Sequence, residues 1–153
     1  MRGTIEIYNS KDGETSVEVT FEKETVWLNL NQISDLFGRD KSVISRHLKN
    51  IYNSKELEES STVAKNATVQ NEGGRKVERE VKYYNLDAVL SVGYRVNSKQ
   101  GTQFRIWATD KLRNHLIKGY TLNKTRLEQL KQSVKLIQAT KNSKQIEVQQ
   151  TKE

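Results

Sequence analysis

The sequence predicts an α+β fold: a winged helix-turn-helix-like N-terminal domain with a small antiparallel sheet, followed by helices and a C-terminal helical extension. Three observations predict it. The N-terminal residues alternate between apolar and polar, as strands do. Segment 29–51 contains two apolar patterns of helical spacing on either side of Gly38. A second pair of alternating segments lies directly downstream, where a helix-turn-helix domain carries its wing.

The first element is a β-hairpin. Segments 4–9 (TIEIYN) and 16–21 (SVEVTF) alternate apolar and polar residues. The KDG sequence at 11–13 links them, and Asp-Gly favours a hairpin turn because it tolerates positive φ. Segment 24–29 (ETVWLN) continues in extended form toward the first helix. These three segments predict a small antiparallel sheet with a structural role.

The helix pair follows. The first helix has one apolar side, formed by Ile33, Leu36 and Phe37. Gly38 permits the sharp turn, and Asp40 or Ser42 can cap the second helix by accepting bonds from free backbone N–H groups. The second helix carries a stripe of helical spacing that we expect to be buried, formed by Ile44, Leu48 and Ile51.

The outer face of the second helix is basic and polar, as expected of a recognition helix in a DNA major groove. Arg46 is the leading candidate for a bidentate contact with guanine. The candidate DNA-binding residues of this region are Arg39, Lys41, Ser42, Ser45, Arg46, Lys49 and Asn50. The alternative is a pair of amphipathic helices with an ordinary solvated face, which many all-α proteins contain.

The next two segments, 63–70 and 77–84, predict a second hairpin with Gly73 and Gly74 at its tip. Its position predicts a wing that contacts the phosphate backbone. The candidate phosphate contacts are Lys65, Arg75, Lys76 and Arg79. The alternative is a surface hairpin whose charges have no such role.

The remainder predicts helices. Asn85 caps a helix that we expect to be buried through Leu86, Val89, Leu90 and Val92. Ser98 is expected to cap the longest helix, and Gly119 to end it. The apolar face of that helix is expected to comprise Phe104, Trp107, Ala108, Leu112 and Leu116.

The C-terminal segment is separate in this prediction, so the chain divides into a DNA-binding domain, 1–121, and a helix with a frayed polar tail, 122–153. Heptad spacing in this helix predicts a dimer seam formed by Leu127, Leu130, Val134 and Ile137. Two heptads are too short for a stable coiled coil alone, so the seam would extend a dimer made elsewhere.

Charge favours a polyanionic partner. The net charge is +7 over 153 residues, and its distribution is uneven. The first 28 residues are acidic, whereas segment 95–126 has eight Lys and Arg residues against Asp110 alone. This basic segment includes possible contacts to phosphate or to a protein partner at Arg95, Lys99 and Arg105.

Composition argues against several classes. Cysteine is absent, which excludes disulfides and thiolate sites, and two histidines are too few for a metal cluster. No apolar run has membrane-spanning length and no signal peptide is visible, so we expect a cytoplasmic bacterial protein, nucleoid-associated when bound to DNA. No phosphate loop is present. We therefore expect no cofactor, no metal, no small-molecule substrate and no enzyme activity; Glu78, Glu80 and Asp87 are the only acidic group suggestive of a nuclease.

Five segments of the sequence are distinctive: VWLNLNQISDLF, SVISRHLKNI, YYNLD, SVGYRV and GTQFRIWAT. With these segments the chain resembles the RhuM family of virulence-associated proteins. The resemblance runs from about Ile5 to Leu127. It implies a protein of mobile genetic elements or pathogenicity islands, taken to be DNA-binding or regulatory. The word FRIWAT at 104–109, together with the order of elements, is similar to the Bro-N domain of phage antirepressors.

These observations together predict a double-stranded DNA-binding protein: a sequence-specific transcriptional regulator acting as a homodimer. The alternative is a protein-interaction module, an antirepressor or effector adaptor, in which the helices from Asn85 onward bind a protein. A nuclease or recombinase-like enzyme is the remaining alternative.

Overall fold

The computed structural model describes the backbone of residues 3–151 and the side chains of residues 3–141. The fold is α+β, with a five-stranded antiparallel sheet and a long C-terminal helix. The strands are β1 (Thr4–Asn9), β2 (Ser16–Glu22), β3 (Thr25–Asn29), β4 (Val63–Glu72) and β5 (Arg75–Asn85). The helices are α1 (Leu30–Phe37), α2 (Lys41–Asn53), α3 (Glu59–Thr62), α4 (Leu86–Val96) and α5 (Ser98–Thr151). The chain divides into two compact units, Met1–Leu112 and Arg113–Glu153.

The sheet has the strand order β1-β2-β3-β5-β4. The predicted N-terminal sheet and the predicted second hairpin are therefore parts of one sheet. They are joined by a short pairing, in which Trp27–Asn29 of β3 lies against Tyr83–Asn85 of β5. Beyond that pairing, β4 and β5 pair only with each other, from Lys65 and Lys82 to the turn at Gly73. The outer part of this hairpin is thus a two-stranded ribbon.

The core of the first unit forms where α1, α2, α4 and the start of α5 pack against the sheet. The predicted apolar stripes of α1 and α2 are buried, with Ile33, Ile44 and Ile51 fully inaccessible. Aromatic packing joins the sheet to α5, because the Tyr8 ring lies 5.3 Å from Phe104 and 5.1 Å from Trp107 between centroids. These contacts confirm Trp107 as part of the core packing.

The C-terminal helices differ from the prediction in three respects. The predicted break at Gly119 is wrong, because α5 continues through it from Ser98 to Thr151. A glycine inside a helix costs only about 1 kcal/mol, and the flanking turns offset that. The predicted cap at Ser98 is also wrong, because the Asn97 side chain accepts the bond from the Gln100 N–H. Leu116, predicted to face the core, is about half exposed.

Candidate nucleic-acid interface

The turn between α1 and α2 is short and contains a glycine in the left-handed region. The helix α1 ends at Gly38, whose φ of 62° and ψ of 38° place it in the left-handed region. Three residues, Gly38, Arg39 and Asp40, connect the two helices, and a turn of three to four residues containing glycine is typical of this motif. Its glycine was identified from sequence because few other residues adopt that conformation readily.

Asp40 caps α2. Its carboxylate accepts bonds from the Ser42 hydroxyl and the Ser42 N–H. The hydroxyl bond and then the backbone bond hold the pKa of Asp40 below its ordinary value. A carboxylate here also interacts favourably with the positive end of the helix dipole. The Ser42 hydroxyl group therefore donates its proton to Asp40. Only the lone pairs of the Ser42 hydroxyl oxygen are left to accept a bond from another partner.

The outer face of α2 is exposed along its length. Ser45, Arg46 and Lys49 lie opposite the buried stripe, and all three are exposed. Lys41, Ser42 and Asn50 are exposed on the same helix. Among the residues whose side chains the structure describes, neither Arg46 nor Lys49 makes an ion pair. At Arg46 and Lys49 the face therefore presents donors and positive charge that no carboxylate pairs with in the described part of the chain.

Arg39 differs from the other predicted residues of this region. It lies in the turn, and its guanidinium donates to the Val96 carbonyl oxygen at 3.1 Å, at the end of α4. Val96 is 57 positions away in sequence, so periodicity could not have revealed the contact. The bond ties the turn to α4, and Arg39 has less freedom to reach DNA than the residues of α2.

The ribbon formed by β4 and β5 is the hairpin for which the sequence predicted the role of a wing. At about 3.3 Å per residue, the eight residue pairs beyond the root span about 26 Å. Gly73 and Gly74 both have positive φ, 56° and 79°, as a two-residue hairpin turn requires. The two strands together carry five basic and three acidic side chains.

Salt bridges divide the predicted wing residues into two groups. Arg79 donates two bonds to the Glu72 carboxylate, at 3.0 and 2.7 Å, and this pairing raises the pKa of Arg79. Lys65 lies 3.7 Å from Glu80. In contrast, Arg75 and Lys76 at the tip are exposed and make no ion pair within the described part of the chain. The tip is therefore the part of the ribbon best suited to a phosphate.

A cleft of about 420 Å³ lies between the start of α1 and the root of the ribbon. Polar groups line it, and they come from Asn31, Thr68, Gln70, Lys82 and Tyr83. Sequence reasoning missed this site. The period of two along β5 was the available signal, because it places Val81 and Tyr83 on the face of the ribbon that carries Thr68 and Gln70. The Lys82 amino group lies 3.8 Å from the Glu59 carboxylate. The cleft places polar groups between the start of α1 and the ribbon.

The remaining predicted residues lie outside α2 and the ribbon. Arg95 pairs with Glu56 at 2.7 Å, and this bond, with a smaller contribution from Ser91, lowers the pKa of Glu56. Lys99 and Arg105 are exposed on α5. The predicted seam residues Leu127, Leu130, Val134 and Ile137 are also exposed in the single chain, and their role in a dimer stays a prediction.

The acidic group at Glu78, Glu80 and Asp87 is only partly brought together. Glu78 and Glu80 share one face of β5, as their spacing predicted, and Lys65 approaches Glu80. Among the described residues, no three His, Asp or Glu side chains are grouped as a metal site requires. No described helix is both long enough and apolar enough to cross a membrane.

Comparison with known proteins gives one match. The model of the virulence protein RhuM family matches residues 61–140, slightly more than half of the chain. This range covers β4, β5, α4 and most of the described side chains of α5. No curated protein and no solved structure matches the chain.

Proposed function

The chain belongs to the virulence protein RhuM family, and from this premise and its surface we propose that it is a double-stranded DNA-binding protein with a winged helix-turn-helix. The exposed outer face of α2 is the observation that supports this most strongly. It carries Arg46 and Lys49 without an ion-pair partner among the described residues. In this proposal α2 enters the major groove, and the protein acts by binding, without catalysis.

The surface separates two kinds of contact. Arg46, Ser45 and Asn50 have the side chains that recognise base edges, and Arg gives the strongest discrimination through two bonds to guanine. Lys41 and Lys49, with Arg75 and Lys76 at the ribbon tip, supply charge for phosphates. Phosphate contacts fix position, whereas base contacts provide specificity. This division supports sequence-specific regulation of transcription over general attraction to polyanions.

The test is a fluorescence-anisotropy titration of the full chain on a pool of double-stranded DNA, with selection and sequencing of the bound fraction. If each of the five cations on α2 and the ribbon tip neutralises one phosphate, log K should fall with log salt with a slope of about −4.5. These cations are Lys41, Arg46, Lys49, Arg75 and Lys76. A palindromic consensus with half-sites about one helical turn apart would support a homodimer. Failure to enrich any sequence would contradict the sequence-specific function.

A charge-reversed variant tests the recognition helix. The double substitution Arg46→Glu with Lys49→Glu should weaken binding at least about 100-fold and bring the salt slope closer to zero by about 2. The matched control is Lys118→Glu with Lys135→Glu, which makes the same change in net charge on exposed positions of α5. If both double variants lose the same affinity, net charge governs binding and the recognition-helix assignment fails.

A second function, binding to a protein partner, is favoured by a separate observation. The unit from Arg113 carries large apolar side chains that are exposed to solvent. Neither an antirepressor nor an effector adaptor would require the α2 face to contact DNA. A variant that loses DNA binding while keeping its protein partner would distinguish the two functions.

A further inference from the structure

The helix α5 presents a row of exposed apolar side chains after residue 113. Six of them recur at the a and d positions of a heptad, and their exposed fractions lie between 45% and 69%. They are Leu116, Tyr120, Leu127, Leu130, Val134 and Ile137. The spacing places all six on one side of the helix. Over 22 residues the row is about 33 Å long, which is ample for contact with another helix.

The row has the width of a helix-packing seam. Positions a and d form a narrow stripe, which the exposed Ile117 at an e position widens near Leu116. A helix that lies in a membrane surface buries a broader apolar face along its length. The d position between Tyr120 and Leu127 is taken by Asn123. A single polar residue in such a seam selects register and partner at some expense of stability. These features fit a helix as the occupant.

The positions that flank the seam are basic or neutral. Lys124 and Lys131 occupy e positions, and Arg126 occupies a g position. Between residues 113 and 141 there are seven Lys and Arg residues and one acidic residue, Glu128. Glu128 lies 3.9 Å from Lys131 on its own helix. The seam therefore has cationic edges.

A second copy of the chain fits these edges poorly. In a parallel pair, Arg126 of one copy would face Lys131 of the other, and in an antiparallel pair the e positions with lysines would face one another. Like charges at e and g positions oppose pairing, and complementary charges select the partner. A helix with Glu or Asp at these positions would instead form salt bridges along both edges.

We propose that the segment Leu116–Ile137 of α5 binds an acidic amphipathic helix of another protein. That helix has Leu or Ile at its own a and d positions and carboxylates at e and g. The surface belongs to the second unit and is distinct from the α2 face. The protein is thereby both a DNA-binding protein and an adaptor, and this interaction does not depend on the DNA-binding proposal.

The experiment uses synthetic helical peptides of four heptads with the full-length chain, at physiological salt. The acidic probe has Leu at a and d, one Asn at the d position matching Asn123, and Glu at e and g. The basic probe has Lys at e and g, and the third probe keeps Glu but has Ser at a and d. We expect micromolar binding of the acidic probe by anisotropy, and binding at least about 30-fold weaker for the other two.

Variants of the chain locate the contact. Leu130→Glu should abolish binding of the acidic probe, whereas Leu136→Glu should not, because Leu136 is exposed on a different side of the same helix. The double variant Lys124→Glu with Lys131→Glu should reverse the preference of the chain between the two peptides. The basic probe should then bind, and the acidic probe should not. The double variant Arg46→Glu with Lys49→Glu, which should lose affinity for DNA, should keep its affinity for the acidic probe.

Each contrary outcome overturns the proposal. Equal binding of acidic and basic probes, or equal effects of Leu130→Glu and Leu136→Glu, would show that the seam does not select the ligand. A dimer of the unliganded chain that Leu130→Glu dissociates in sedimentation would assign the seam to a second copy. Binding to anionic vesicles that requires Leu130 would assign it to a membrane surface. If DNA binding fails but the acidic probe binds as described, only the DNA-binding proposal is lost.

Discussion

Gly93 of α4 is the position where a single added methyl group should have the clearest effect. A Cβ atom built there would lie 2.6 Å from Cζ and 2.9 Å from Cε1 of Phe37, and 3.2 Å from the Gly101 Cα. Carbon atoms pack best at about 3.5–4.0 Å, so the Phe37 ring would have to withdraw by about 1 Å. Phe37 is buried, with 2% of its surface exposed, so its ring lies within the packed core.

The expected effect of Gly93→Ala combines two terms. Overpacking a filled core costs about 1–3 kcal/mol, and a contact this short is at the upper end of that range. Replacing glycine by alanine inside a helix raises the free energy of unfolding by about 1 kcal/mol. The net loss in the free energy of unfolding is thus about 2 kcal/mol, which corresponds to a Tm lower by about 6–8 °C for a unit of this size.

Chemical and thermal denaturation followed by circular dichroism measures this loss. The matched control is Gly119→Ala, also inside a helix, where an added Cβ meets nothing within 4 Å. Gly119→Ala should leave the free energy of unfolding unchanged or raise it by up to about 1 kcal/mol. Phe37→Leu should be less destabilising in the Gly93→Ala background than alone, because the smaller side chain relieves the overlap. A Gly93→Ala protein as stable as the parent, or additive double variants, would refute this packing argument.

Other predictions test the core, a helix cap and one ion pair. Ile44→Ala should cost about 2–5 kcal/mol because Ile44 is fully buried, whereas Ser45→Ala on the exposed face should change stability by less than about 0.5 kcal/mol; equal losses would contradict the assigned faces of α2. Asn85→Ala should cost about 1 kcal/mol, because its side chain accepts the bond from the Ala88 N–H; unchanged urea unfolding would contradict the cap. Arg95 lowers the pKa of Glu56, so the pair stabilises the fold above the unfolded-state pKa and this stabilisation is lost as pH falls through the lower folded-state pKa. The Tm difference between the parent and Glu56→Gln should therefore shrink between about pH 7 and about pH 3, and a constant difference would exclude the ion pair as its cause.

Local signals in the sequence predicted most of the elements. The Asp-Gly turn, the αL glycine at position 38 and the double glycine of the second hairpin each lie where the structure has a turn. The caps at Asp40 and Asn85 were identified for the same reason, since a short polar side chain satisfies backbone groups close to it in sequence. Such features depend on a few neighbouring residues, and those are visible in the chain itself.

Prediction failed where the outcome depended on competing local terms or on distant partners. Gly119 is a weak helix breaker, and α5 continues through it without interruption. The exposed face of α2 could be predicted from period alone, but the bond from Arg39 to Val96 could not. The separation of the wing cations into paired and unpaired groups required the register of β4 against β5, which brings Glu72 to Arg79.

The sequence by itself determined most of the helices and strands, the apolar faces of α1 and α2, and membership of the family, because these follow from periodicity, turn chemistry and similarity. The tertiary structure alone decided that both hairpins share one sheet, that Gly93 admits the Phe37 ring, and that a cleft of mixed polar and apolar lining forms beside α1. Those features arise from contacts between segments far apart in the chain. Their distances and charges depend on packing, which no local pattern encodes.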